Sequence, residues 1–232
     1  MSDILLHEVK GKSEIITFNN PKKLNVLSDE MLELLLNALE KSSSNPKTKV
    51  VIIKSTGKAF CAGHDLKEMQ NARINSDDGI GYFKDLFKRC SKVMLKIKNL
   101  PKPVIAEVQG IATAAGCQLV ATCDIAIASK NASFGVNGVN IGLFCSTPMV
   151  ALSRNIGRKK TFEMLVTGDF LNAYQANEAG LINHVTEENE LEDKSKEIAA
   201  KITEKFKRVV KIGKEAFYKQ AEMSLEQAYE YT

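Results

Sequence analysis

The chain has 232 residues, 44% hydrophobic and 26% charged, with 32 Lys and Arg against 28 Asp and Glu. This apolar content supplies a sizeable core, which excludes global disorder, and the length fits one large domain. The net charge of +4 comes from acids and bases interleaved along the chain and calls for no nucleic-acid partner.

The opening segment, MSDILLHEV, has neither the apolar core of a signal peptide nor the Arg-rich, acid-poor character of a transit peptide, so the chain reads as cytoplasmic. Residues 14–18 (EIITF) are predicted to form a strand that Asn19, Asn20 and Pro21 terminate. Ser28 is placed to cap a helix with Asp29 and Glu30 in its first turn. Met31, Leu32, Leu35, Leu36 and Leu39 give that helix its buried stripe, and the serine run from Ser42 ends it. Residues 50–53 (VVII) form a short apolar run of the kind buried on both faces of a parallel sheet.

Tyr82, Phe83, Leu86, Phe87, Cys90, Val93, Met94 and Ile97 mark a second amphipathic helix, stopped before Pro101 and Pro103. A strand over 104–108, a small-residue helix over 114–123 and a strand over 125–127 follow, then short helices over 162–166 and 173–179 on either side of Gly168. Glu107, Gln109, Gln118 and Asp124 interrupt the most apolar stretch, so it does not read as a membrane span. From Leu191 onward the pattern is helical and rich in Lys and Glu. Residues 194–219 hold nine Lys and Arg against three Glu without interleaved stacking aromatics, which reads as a solvated face and not as an RNA surface. Strands alternating with helices indicate an α/β domain, divided here into a core over 1–190 and a C-terminal helical segment over 191–232.

Five cysteines, Cys61, Cys90, Cys117, Cys123 and Cys145, are an odd number without metal-ligand spacing, so neither a disulfide framework nor a metal site is expected. Cys117 and Cys123 read as core packing. His7 and His184 carry no chemical signal, and Asp124 reads as a structural carboxylate.

Two glycine-containing segments concentrate the chemistry: KAFCAGHDLKEM at 58–69 and QGIATAAGCQL at 109–119. Small residues let another group approach the backbone, and the N–H groups at a helix start attract an anion or a developing negative oxygen. A pair of such N–H groups from two loops is what an oxyanion hole requires. Tight turns needed only for packing account for the same spacing. Neither segment is a P-loop or a GxGxxG fingerprint, which argues against nucleotide hydrolysis and dinucleotide redox chemistry.

The ordered blocks NPKKLNVL (20–27), AFCAGHDL (59–66), GIATAAGCQ (110–118), CDIAIA (123–128), FG (134–135) and TGD (167–169) resemble the crotonase superfamily, the enoyl-CoA hydratase/isomerase-type proteins. AGCQ at 115–118 and GVNIGLFCSTP at 138–148 resemble an atypical branch of it. The resemblance implies a spiral of ββα units, assembled as trimers or dimers of trimers, and an acyl-CoA thioester as ligand, with coenzyme A as part of the substrate and no separate cofactor. By position it implies the His64 and Ala115 backbone N–H groups as oxyanion donors, each worth about 2.7–4 kcal/mol in a comparable site. Ala62 and Gly116 then line the ligand path, Asp65 and Leu66 line it by backbone contacts, Lys22 and Lys23 lie near the coenzyme A entrance, and Cys145 and Ser146 stand beside the pocket. Relatives continue for a few tens of residues beyond the equivalent of Thr232, so the C-terminal helical segment, a trimerisation and lid element in the family, looks shortened.

The two glutamates used by the family's hydratases fall at Gln118 and Gly138. A Gln amide orients water but takes no proton near neutral pH, and Gly138 has no side chain. General acid–base catalysis supplies about 10²–10⁴-fold per group, so the expectation is atypical or weak hydratase chemistry. The alternatives are a malonyl-type acyl-CoA decarboxylase, a non-catalytic acyl-CoA binder, and a Cys/His hydrolase using Cys61, Cys117 or Cys145 with His64.

Overall fold

The computed structural model describes residues 3–232; Met1 and Ser2, which begin the segment read for targeting signals, lie outside the described residues. The chain opens with a hairpin, β1 (Leu5–Lys10) and β2 (Ser13–Phe18), and helix α1 (Asp29–Ser44). Three passes of one pattern follow, in which the chain lays a strand in each of two sheets and then turns into a helix. The first is β3 (Val50–Ser55), β4 (Ala59–Cys61) and helices α2 (Leu66–Ala72) and α3 (Ile80–Lys98). The second is β5 (Val104–Val108), β6 (Ile111–Thr113) and α4 (Ala115–Thr122). The third is β7 (Ile125–Ser129), β8 (Ser133–Gly135) and, after a 3-10 turn, α5 (Ser146–Asn155). Helix α6 (Arg158–Thr167), β9 (Phe170–Asn172), α7 (Ala173–Glu178), β10 (His184–Thr186) and helices α8 (Leu191–Thr203), α9 (Lys207–Gln220) and α10 (Leu225–Tyr231) complete the chain.

The six-stranded sheet runs β1-β2-β3-β5-β7-β10, parallel except for the β1–β2 hairpin. The four-stranded sheet runs β4-β6-β8-β9, with only β9 antiparallel to its neighbour. This is the expected α/β class, and the repeated strand–strand–helix passes are the expected ββα units.

The VVII run shows why a parallel strand is apolar on both sides. Val51 and Ile53 face the main core, while Val50 and Ile52 join Ile105, Ile127, Leu191 and Ala199 under α8. Lys54 fastens that helix, its Nζ lying 3.4 Å from Glu107 and 3.2 Å from Glu192, and the Ser195 hydroxyl donates to Glu107. Helix α9 is held through Asp124, which accepts from the Val104 N–H at 2.6 Å, Lys214 Nζ at 2.7 Å and the Tyr218 hydroxyl at 2.8 Å. The structural reading of Asp124 therefore holds. Phe206, Val209, Ile212, Phe217, Leu225 and Tyr229 of the last helices remain exposed.

Several local expectations need correction. Helix α1 does not stop at Ser42 but runs through Ser44, because the Ser42 hydroxyl donates inward to Glu14 at 2.5 Å and the Ser44 hydroxyl to the Lys41 carbonyl at 3.1 Å. His7 has a structural contact, in keeping with its plain reading: its Nε2 lies 2.8 Å from the same Glu14 carboxylate, which also meets Thr48 and, at 3.2 Å, Lys102. The helix expected over 162–166 begins at Arg158. Helix α5 carries only Pro148 and Leu152 as buried residues, too thin a stripe to show as periodicity.

Candidate functional site

Strand β4 and the β6–α4 corner lie side by side because residue 116 is glycine. A Cβ on Gly116 would stand 2.1 Å from the Cys61 carbonyl oxygen, so any side chain would part the two segments. At the corner itself Ala114 takes φ 50° and ψ −120°, a conformation that costs an L-residue of order 1–3 kcal/mol. Its N–H is tied to the Gly135 carbonyl at 2.9 Å. The turn leaves Ala115 as the first residue of α4, with an N–H that the helix itself cannot satisfy.

His64 is set by a second loop. Asn25, fully buried at φ 53°, donates its amide to the Thr56 and Ala59 carbonyls, both at 2.8 Å, and accepts the Asn20 N–H at 2.8 Å. The loop then pairs with the following segment: the Ala62 N–H donates to the Leu24 carbonyl at 3.1 Å, and the Leu27 N–H to the Gly63 carbonyl at 2.7 Å. Leu27 and His64 form an isolated parallel bridge. Among the described residues neither the His64 N–H nor the Ala115 N–H has a backbone acceptor.

Both residues line one open cleft of about 410 Å³. Ala62, Leu66, Gly138, Cys145 and Ser146 line it too, so these sequence-predicted residues come together. Gln118 does not join them; it lies one turn further along α4, buried, with its amide oxygen unpartnered among the described residues. Gly116 serves the packing just described. Asp65 caps α2, accepting the Lys67 N–H at 2.9 Å, and Lys23 Nζ approaches it at 3.7 Å. Lys22 and Lys23 sit exposed on the 3-10 turn Pro21–Lys23, outside the cleft wall.

Thr113, Asn137 and Thr147 add polar groups to a mainly apolar wall, and the Thr113 hydroxyl donates to the Asn137 amide oxygen at 2.6 Å. Met69, Phe87, Ile141, Leu143 and Phe144 form much of its wall, and sequence reasoning missed them. Phe87 was readable only as part of a helical stripe, which points to core; instead its ring meets the His64 imidazole edge-on at 5.9 Å between centroids. The cleft wall contains no carboxylate among the described residues, and His64 and Cys145 are its titratable groups.

Burial pushes the His64 imidazole below its ordinary pKa, against the raising effect of the Leu27 carbonyl, which lies 3.3 Å from Nδ1. A carbonyl only accepts, so Nδ1 carries the proton and Nε2 is a lone-pair nitrogen. That Nε2 is buried and has no partner among the described residues. Burial also raises the Cys145 thiol, with the Gly138 N–H on its sulfur acting the other way. Cys61 and Cys117 are pushed up to about 12 by burial, so both are neutral thiols at neutral pH. Two unclaimed N–H groups in an apolar cleft are suited to polarise a carbonyl oxygen and to hold the negative charge it develops.

A family model described as enoyl-CoA hydratase/isomerase matches residues 11–232. The chain is 47% identical over 217 residues to the human protein named enoyl-CoA hydratase domain-containing protein 3, mitochondrial, covering 94% of this chain and 70% of that one. It is 44% identical over 228 residues to the Danio rerio protein of the same name, covering 98% and 77%. Among solved structures, an enoyl-CoA hydratase from Mycobacterium smegmatis superposes with a TM-score of 0.94 at 46% identity, covering 99% of this chain and 88% of that one. The expectation of a cytoplasmic location is corrected by these findings, since the curated relatives at 44–47% identity are named as mitochondrial proteins.

Proposed function

Because the chain belongs to the enoyl-CoA hydratase/isomerase family, with its crotonase fold, we propose that the cleft binds an acyl-CoA thioester, its carbonyl oxygen held by the His64 and Ala115 N–H groups. One observation carries this reading: the two N–H groups without backbone acceptors, brought from separate loops, line the same apolar cleft. Coenzyme A enters as part of the substrate, and no separate cofactor takes part. Ordinary hydration is weak, because Gln118 and Gly138 stand at the positions of the two glutamates and the cleft wall supplies no carboxylate among the described residues in their place. The exposed apolar residues of α9 and α10 support self-association into a trimer or a dimer of trimers.

Two assays test this. Calorimetry with crotonyl-CoA is expected to give binding, while loss of its conjugated-enoyl absorbance is expected to be slow. Hydration at the rate of an efficient hydratase contradicts the weak-hydratase reading, and absence of binding contradicts the assignment of the cleft.

The apolar wall favours a second reading, decarboxylation of a malonyl-type acyl-CoA. A carboxylate moved from water into such surroundings is destabilised, and departure of CO₂ generates the thioester enolate without a base. Methylmalonyl-CoA is the test substrate; no CO₂ release across a malonyl-CoA series rejects this reading.

A further inference from the structure

The His64 side chain is a feature that the oxyanion role of its backbone leaves unexplained. Nδ1 faces the Leu27 carbonyl, which fixes the tautomer, and Nε2 is a buried lone-pair nitrogen without a partner among the described residues. A buried acceptor with nothing to accept from is unfavourable, so the fold retains a costly group at the cleft. Of the two titratable groups in the cleft wall, Cys145 is a thiol raised by burial and therefore a poor nucleophile at neutral pH. His64 is neutral there and free to take a proton. Its charged neighbours are Asp29 on α1 and Arg89 on α3, and these pair with each other at 2.8 Å. Phe87 packs edge-on against the imidazole.

We propose that His64 Nε2 is a general base in this cleft and that the protein hydrolyses acyl-CoA thioesters. This rests on the acyl-CoA reading above. A water donates a proton to Nε2 as its oxygen bonds to the thioester carbonyl carbon, and the carbonyl oxygen takes the negative charge against the two N–H groups. When the C–S bond breaks, the electron pair leaves on sulfur and the proton passes from Nε2 to the thiolate. The products are a carboxylic acid and coenzyme A with a free thiol. A base beside paired N–H donors is the minimal apparatus for such acyl transfer to water.

The test follows coenzyme A thiol release from acetyl-CoA and crotonyl-CoA in the wild type, His64→Gln and Cys145→Ala, with acyl-CoA binding measured in parallel by calorimetry. Wild-type release is expected to rise with pH to a plateau, with a midpoint below the ordinary histidine value of 6.5. His64→Gln keeps the backbone N–H and is expected to bind acyl-CoA while losing about 100-fold or more in rate, together with that pH dependence. Absence of thiol release from a wild type that binds acyl-CoA overturns the hydrolase assignment, as does a His64→Gln variant with unchanged rate and pH profile. An acylated Cys145 detected by mass, with release abolished in Cys145→Ala, overturns direct attack by water. Failure of the wild type to bind acyl-CoA overturns the parent reading and this one together.

Discussion

The thiol of Cys145 occupies the space that a side chain on residue 138 would enter. Its Sγ lies 2.9 Å from the Cβ position there, and the Leu143 carbonyl oxygen lies 2.8 Å from it. The loop itself thus excludes a side chain at residue 138: backbone and thiol have closed over the position. Gly138→Glu alone is expected to lower stability by about 1–3 kcal/mol, as overpacking does, without producing an efficient hydratase. Adding Cys145→Gly is expected to recover part of the loss. Urea unfolding reads both effects, and a Gly138→Glu midpoint equal to wild type contradicts the packing described.

Asn25 ties the loop that carries Leu24 and Leu27 to the carbonyls flanking β4, and that loop in turn holds the segment ending in His64. Asn25→Asp removes both donors while keeping the shape. The expected cost is about 1–3 kcal/mol from the Thr56 carbonyl left unpaired, since the Ala59 carbonyl keeps Gln109 Nε2 at 3.2 Å. Acyl-CoA affinity is expected to fall with it, since the His64 N–H loses its support. Unchanged affinity by calorimetry contradicts the positioning role.

Lys214 and Asp124 form a pair whose side chains are only 7% and 13% exposed. Burial lowers the Lys214 pKa, and Asp124 works against that. Removing the lysine leaves a carboxylate with little access to water, for which about 3–5 kcal/mol is the usual loss. Lys214→Ala is expected to release α9, seen as early amide hydrogen exchange over 207–220. Full protection of those amides contradicts the account.

Burial raises the Glu14 pKa, but hydrogen bonds from Ser42, Thr48 and His7 and the charge of Lys102 outweigh it and hold the carboxyl at about 2 against an ordinary 4.5. The folded value is depressed, so the stabilisation is present above 4.5 and is lost as pH falls from there towards 2. Urea midpoints are expected to drop across that window, and Glu14→Gln is expected to flatten the drop. An unaltered slope in the variant contradicts the assignment.

Elements with a long apolar period or a cap were legible in the sequence. Ser28 accepts the Met31 N–H at 3.2 Å as the cap of α1, and the strand expected over 104–108 is β5. The second sheet was not legible. Strands β4, β6, β8 and β9 have three residues each, too few to express alternation. In the site, the two donor loops were readable from small residues at turns. The apolar walls were not, because Phe87 on α3 and Phe144 beside α5 meet only after folding, from elements far apart in the chain. Asp65, which the resemblance places on the ligand path through its backbone, uses its side chain to cap α2, so the two roles do not compete.

The central claim is that one carbonyl oxygen accepts from both His64 and Ala115. Infrared difference spectra of carbonyl-¹³C-labelled and unlabelled crotonyl-CoA bound to the wild type test this most directly, because two N–H donors polarise the C=O bond and lower its stretching frequency. The account predicts a shift to lower frequency on binding. A bound thioester carbonyl that keeps its free-solution frequency would contradict it.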